Sequence, residues 1–178
     1  WGCMMRVGQM QLAQCLRTYR DSNRLDISDW EIFKSFDDDS KKSVYSSMHL
    51  LNGRTAVEAN LIKGSWMTPK QITEVISETH ALTPLKDFEG LKIIVQDNVV
   101  YFDKLTEAMS NRQCSKHKSI GCMKCICVPQ KPTHVAVIVL GFLTEERGAV
   151  PELMKSELFA GMIGGIPKEA RFFIGVEQ

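Results

Sequence analysis

Trp1-Gly-Cys-Met-Met-Arg-Val-Gly-Gln-Met-Gln-Leu-Ala-Gln-Cys-Leu-Arg-Thr-Tyr19 opens the chain and governs its reading. Met5, Gly8, Leu12, Cys15, Leu16 and Tyr19 recur at spacings of three and four, which predicts an amphipathic helix with one buried stripe. Cys3 then stands at the helix N-terminus, where unpaired backbone N–H groups and the positive end of the helix dipole favour a negative group. That placement draws a thiol toward the thiolate form that a nucleophile needs. Gly2 lets the backbone approach closely, and Trp1 supplies an aromatic wall. On spacing alone a buried structural cysteine stays open beside the nucleophile, because free cysteine is among the most buried residue types.

Further elements follow outward from this helix. Ser28 with Glu31 three residues later is a capping-box pair that opens a short helix carrying Trp30, Phe33 and Phe36 on one side. Asp37-Asp-Asp-Ser-Lys-Lys42 reads as a solvated turn, since it lacks the alternating spacing of a calcium loop. Val44, Met48 and Leu51 suggest a helical turn or two before the Asn52-Gly53 break. Thr68-Pro69 opens a helix with Ile72, Val75, Ile76 and Leu82 as its buried stripe. Leu91–Val95 reads as a strand, followed by a turn at Asp97-Asn98, the apolar Val99-Val-Tyr101 and a polar helix around Leu105–Met109. Val135–Leu143 reads as a central strand buried on both faces. Pro151 opens a helix through Leu153, Leu158 and Phe159 that Gly161 ends, and Gly164-Gly165 turns the chain into a strand over Arg171–Val176. Helices first, then strands mixed with helices, make an α/β (α+β) class, with residues 1–178 as a single domain and 110–133 as an insertion loop.

Composition removes several functions. With 22 basic and 21 acidic residues the net charge is +1, which gives no electrostatic footprint for nucleic acid or an anionic membrane. The longest apolar run, Val135–Leu143, is about half of the roughly 18 residues that a membrane-spanning helix needs. No secretory signal stands near Trp1, and the six cysteines are spread unevenly, unlike a disulfide-stapled framework; a reducing, cytoplasmic setting is expected. No cofactor is implied.

The string Trp1-Gly-Cys-Met-Met-Arg-Val-Gly-Gln-Met10 closely resembles the catalytic-cysteine segment of the autophagins, cysteine proteases that process the autophagy ubiquitin-like modifier. Tyr45-Ser-Ser-Met-His49, Trp66-Met-Thr-Pro69, Gly161-Met-Ile-Gly-Gly-Ile-Pro167 and Phe172-Phe-Ile-Gly175 resemble later family motifs in the same order, so the resemblance spans nearly the whole chain. It implies a papain-like fold and an endopeptidase that cuts after the modifier's terminal glycine. The free precursor and the phosphatidylethanolamine-linked modifier would be the partners, with membranes touched peripherally through the lipidated substrate. Cys3 maps onto the nucleophile, and Trp66 onto a tryptophan lying over the glycine tail, with Trp1 and Gly2 beside the cysteine. A narrow aromatic lid admits residues without side chains and rejects bulk.

The departures also matter. The family's Asp-Pro-His motif follows the Phe-Ile-Gly strand by about one hairpin, a connection of a few residues, and none of His49, His80, His117 or His134 occupies that place. The oxyanion-assisting Tyr of the family lies ahead of the cysteine motif. The domain is therefore expected to be incomplete at both termini, and the isolated chain to lack normal turnover. Met67-Thr68 replaces Tyr-Gly, Ile166 replaces Lys and Lys168 replaces Asn, which puts the fine shape of the groove in doubt. A non-catalytic module that binds the modifier stays open as the alternative. Separately, Cys114, His117, Cys122 and Cys125 stand at spacings that can wrap one tetrahedral zinc. A redox-sensitive loop or an ordinary loop stays open there, as does a thiol- or zinc-dependent scaffold unrelated to proteolysis.

Overall fold

Buried side chains run along nearly the whole of the first helix, α1 (Cys3–Asn23), with Met5, Leu12, Leu16 and Tyr19 among them. The computed structural model describes residues 3–97, 99–110, 134–140, 149–166 and 169–174. Within these, α1 is followed by α2 (Asp29–Lys34), α3 (Ser47–Leu51), α4 (Arg54–Glu58), α5 (Pro69–Leu82), β1 (Leu91–Asp97), α6 (Phe102–Ser110), β2 (His134–Leu140), α7 (Ala149–Met154), β3 (Met162–Ile166) and β4 (Glu169–Phe173). The mixture of helices and strands is the expected α/β class.

Both capping boxes form. Ser28 Oγ accepts the Glu31 N–H at 3.3 Å while Glu31 Oε2 accepts the Ser28 N–H at 2.8 Å. Thr68 and Gln71 repeat the exchange at 3.2 and 2.9 Å, and Pro69 takes the first helical position, where its missing N–H costs nothing. Side chains contributed to the core differ from the local pattern. On α2 the buried residue is Ile32, while Trp30 and Phe33 are exposed and Lys34 Nζ sits 5.5 Å above the Trp30 ring. On α5 Leu82 faces outward and the stripe closes instead on His80.

Helices α1 and α5 lie side by side with a glycine at the contact. A Cβ on Gly8 would stand 2.9 Å from Ile76 Cδ1 and closer still to Ile72 Cγ1, so only glycine permits this approach. Further along, the Tyr19 ring lies 5.6 Å from Phe88, just past the end of α5, so the two helices run in the same direction. Strand β1 runs back against α5. Lys70 and Asp97 are 3.7 Å apart at one end, and His80 Nε2 lies 2.9 Å from Leu91 O at the other. The N-termini of α1 and α5 and the C-terminal ends of the strands therefore share one end of the molecule.

β1 and β2 pair in parallel, from Leu91 opposite His134 to Asp97 opposite Leu140. Among the described residues no strand pairs the other edge of β1; there α5 donates two side-chain hydrogen bonds, His80 Nε2 to Leu91 O and Ser77 Oγ to Ile93 O at 2.9 Å. Strand β2 is not buried on both faces as its sequence suggests: most of it is half-buried, and Val139 is exposed. Its apolar run records one covered face and a pairing edge. α7 stops at Met154, with Pro151 at its third position, and Leu158 is 90% exposed. Gly164 and Gly165 lie inside β3, paired antiparallel with Arg171 and Ala170 of β4, and the chain reverses between Ile166 and Glu169. The glycine that ends the preceding turn is Gly161, whose φ of +118° and contact with the Phe172 ring both exclude a side chain.

Candidate active site

Cys3 is the first residue of α1 and half-buried, at the end of the molecule where α1 and α5 begin and β1 ends. Met4 and Met5 behind it are buried and fix the first turn against the core. Trp66 lies two residues before the α5 cap Thr68, at that same end, and is 45% exposed. The neighbouring Met67 is buried and anchors the loop. Cys3 and Trp66 are thus brought to one end by the parallel course of α1 and α5. Trp1 and Gly2 lie outside the described residues.

The other described thiol is unlike Cys3. Cys15 is buried in the α1 stripe, and burial pushes its thiol up to about 12, which keeps it protonated and inert.

Three histidines are described. His80 is buried in a closed network: its Nε2–H donates to Leu91 O, so its Nδ1 accepts the Tyr45 hydroxyl at 2.7 Å, and Tyr45 Oη accepts the Leu85 N–H at 3.4 Å. Burial lowers its proton affinity, only partly opposed by the Leu91 carbonyl, and the ring is neutral. His134 accepts a 3.2 Å hydrogen bond from Asn23 Nδ2 and packs edge-on to Tyr19 at 5.2 Å. It therefore sits at the C-terminal end of α1, which at about 1.5 Å per residue places it some 25–30 Å from Cys3. His49 is exposed on α3, its N–H donating to Ser46 Oγ at 3.3 Å. Among the described residues no hydrogen bond joins an imidazole to Cys3.

One contact of the α1 residue Arg6 is invisible to local pattern. Asp38, in the acidic run read as a solvated turn, accepts the Ser47 N–H at 2.7 Å through Oδ1 and the Arg6 guanidinium at 2.5 Å through Oδ2. Its partners are 9 and 32 residues away, beyond any local signal.

A groove of about 600 Å³ runs between α5, β1 and α6, with Glu74, Glu78, Lys92, Lys104 and Glu107 on its walls. No residue of α1 lines it, so it is separate from Cys3. Among the described residues no three metal-ligating side chains cluster. The zinc candidates Cys114, His117, Cys122 and Cys125 lie outside the described residues, as does the remainder of the insertion from 111 to 133. Among the described residues no helix is long and apolar enough to cross a membrane.

Comparison with known proteins adds to this geometry. The family model described as the peptidase C54 catalytic domain matches residues 1–178. Two similar relatives are the cysteine protease ATG4B of Xenopus laevis, 27% identical over 194 residues, and that of Gallus gallus, 27% identical over 209. Each alignment covers 98% of this chain and 49% or 50% of the relative, so the chain spans about half the length of the curated relatives it matches. No solved structure matches it.

Proposed function

The chain belongs to the peptidase C54 family, whose fold is papain-like and whose mixture of helices and strands it shares, and we propose that it carries the nucleophile of a thiol protease acting on an autophagy ubiquitin-like modifier. The observation that carries this reading is Cys3, half-buried at the N-terminus of a long helix whose remaining turns are locked in the core. A thiolate there attacks the carbonyl of the modifier's terminal glycine, the bond to the leaving amine breaks, and water then releases the acyl group. Backbone N–H groups at the start of α1 are the donors available to a developing oxyanion. Trp66, exposed at the same end, covers a tail of residues without side chains and rejects bulkier ones. One chemistry then serves both the precursor and the lipid-linked modifier, because the scissile bond follows the same glycine.

The test is incubation of the protein with a modifier precursor extended beyond its terminal glycine, followed by mass spectrometry of the products. Cleavage after glycine that Cys3→Ser abolishes supports the reading; cleavage that survives Cys3→Ser sinks it. A second reading, a domain that binds the modifier without cutting it, draws on the placement of His80 and His134 away from Cys3. It predicts a stable complex and an intact precursor in the same tube.

A further inference from the structure

Arg6 follows Cys3 by three residues, which makes the two neighbours on the helix surface, about 5–6 Å apart at Cβ. Its guanidinium is held at two points: Nη1 donates to Gln9 Oε1 at 2.8 Å and Nη2 to Asp38 Oδ2 at 2.5 Å. Gln9 in turn donates Nε2 to Tyr45 O at 2.8 Å, and Asp38 Oδ1 accepts the Ser47 N–H at 2.7 Å. These bonds close a ring from the first turns of α1 to the segment 38–47. The ring is anchored in the core, since Tyr45 is fully buried and its hydroxyl is bonded to His80. Desolvation would raise the Asp38 carboxyl, but the Ser47 N–H and Arg6 outweigh it and hold the group below the usual carboxylate range.

The stability this ring adds is small. Arg6 is 55% and Asp38 34% exposed at the side chain, and an ion pair that open contributes little to folding. The apolar side of α1 is held against the core from its first turn, by Met4 and Met5, through Leu12 and Leu16 to Tyr19. What the ring adds is a second, polar hold on the same turns, because turning that end breaks the Arg6–Asp38 or the Gln9–Tyr45 bond. It also fixes a cation one turn from the thiol and pairs that cation with the Asp38 carboxylate.

We propose that Arg6 and Asp38 are positioning residues for Cys3: Asp38, held by the Ser47 N–H, clamps the Arg6 guanidinium and so sets the direction of the Cys3 Sγ and the charge beside it. The inference rests on the reading of Cys3 as the nucleophile. Removing either partner loosens the same turn, yet the two removals act on the local charge with opposite sign. Arg6→Gln deletes the cation one turn from Cys3; Asp38→Ala leaves that cation without its carboxylate partner.

The experiment compares wild type, Arg6→Gln, Asp38→Ala and Arg6→Lys in the full-length protein. The readouts are cleavage kinetics on the extended precursor, iodoacetamide alkylation of Cys3 at pH 7 by peptide mapping, and amide exchange of residues 7–10. Since a misplacement of about 1 Å costs on the order of 100-fold, Arg6→Gln and Asp38→Ala each lower kcat at least tenfold, with KM within about twofold. Arg6→Lys, which keeps the charge and loses the fork, falls between them and wild type. Alkylation of Cys3 slows in Arg6→Gln and does not slow in Asp38→Ala, a split that simple loss of structure would not give. Exchange of residues 7–10 rises in Asp38→Ala while that of α5 is unchanged. Unchanged kcat in both variants, or alkylation slowed equally in both, overturns the proposal. If wild type cleaves no precursor, the protease reading falls by itself, and the exchange and alkylation results still decide whether the ring positions Cys3: the pattern above upholds it, and unchanged exchange in Asp38→Ala overturns it.

Discussion

Substituting Gly8 by alanine tests how closely α1 and α5 approach. In an exposed helix interior this change stabilises by about 1 kcal/mol, the helix propensity difference between the two residues. Here the added Cβ stands 2.9 Å from Ile76 Cδ1 and nearer still to Ile72 Cγ1, whereas carbon atoms normally settle about 3.5–4.0 Å apart. Ile76 yields by rotating a terminal methyl. Ile72 does not, because Cγ1 is bonded directly to its Cβ and a β-branched side chain in a helix has essentially one χ1 well. Ile72 is also fully buried, so the relief is a shift of the helices by about 1 Å. Overpacking of that kind costs about 1–3 kcal/mol, and with the clash at the severe end the net after the propensity gain is about 2 kcal/mol destabilising. For a chain of this size that is a fall in Tm of about 4–8 °C, followed by far-UV circular dichroism with urea titrations alongside. Ile72→Ala alone leaves a cavity and costs about 2–5 kcal/mol; combined with Gly8→Ala, the new methyl enters that cavity and the pair costs less than the sum, by 1 kcal/mol or more on the scale of about 0.5–3 kcal/mol seen for coupled contacts. A Gly8→Ala protein as stable as wild type, or strict additivity in the double variant, would refute the close approach.

Other outcomes follow from the same coordinates. Because burial holds His80 neutral, the unfolded chain takes up a proton near its ordinary 6.5 that the native state refuses, so the His80 contribution is complete above that pH and is lost as pH falls toward the lowered native value. The slope is up to about 1.4 kcal/mol per pH unit; urea midpoints from pH 7.5 to 5 measure it, and His80→Gln, which cannot be protonated, is expected to flatten the profile. An identical profile in both proteins would show that His80 is not the buried base. Thr68→Ala removes the acceptor for the Gln71 N–H and lowers stability by about 1 kcal/mol, measured by urea titration, while the backbone N–H of residue 68 keeps Gln71 Oε1 as its acceptor; unchanged stability would contradict the cap. In a folded sample treated with iodoacetamide at pH 8, Cys3 is modified well before Cys15, whose buried thiol sits near 12; equal rates would mean that the α1 stripe opens freely.

Features governed by neighbours in sequence were the legible ones. The 3.6-residue stripe of α1, the Ser28–Glu31 and Thr68–Gln71 boxes and Pro69 at a helix start each need partners three or four residues away, and each formed. Side chains whose place depends on a distant surface were not legible. Trp30 and Phe33 look like the buried face of α2, yet Ile32 meets the core, and Trp30 finds its partner in the ammonium of Lys34. His80 outranks Leu82 as a core residue because Tyr45 and Leu91 satisfy both of its nitrogens, which no pattern on α5 announces. The glycine pair at 164–165 has turn chemistry but lies in β3, where pairing with Ala170 and Arg171 settles its conformation. Cys3 and Trp66 are singled out by a motif, whereas the pairing of Asp38 with Arg6 and Ser47 is hidden in a run of aspartates that differ only in what the fold places opposite them.

Among the described residues the side of β1 away from β2 pairs with no strand, and this bears on the behaviour of the chain in crowded solution. A strand with one free side offers a row of carbonyl and amide groups to any extended segment that drifts past, and such edges are where soluble proteins begin to stack into cross-β deposits. Here two carbonyls of that row are already taken, by the imidazole of His80 and the hydroxyl of Ser77. The helix thus acts as a counterfeit neighbouring strand, built from side chains, and a change as slight as Ser77→Ala would return one place in the row to whatever other chain comes near.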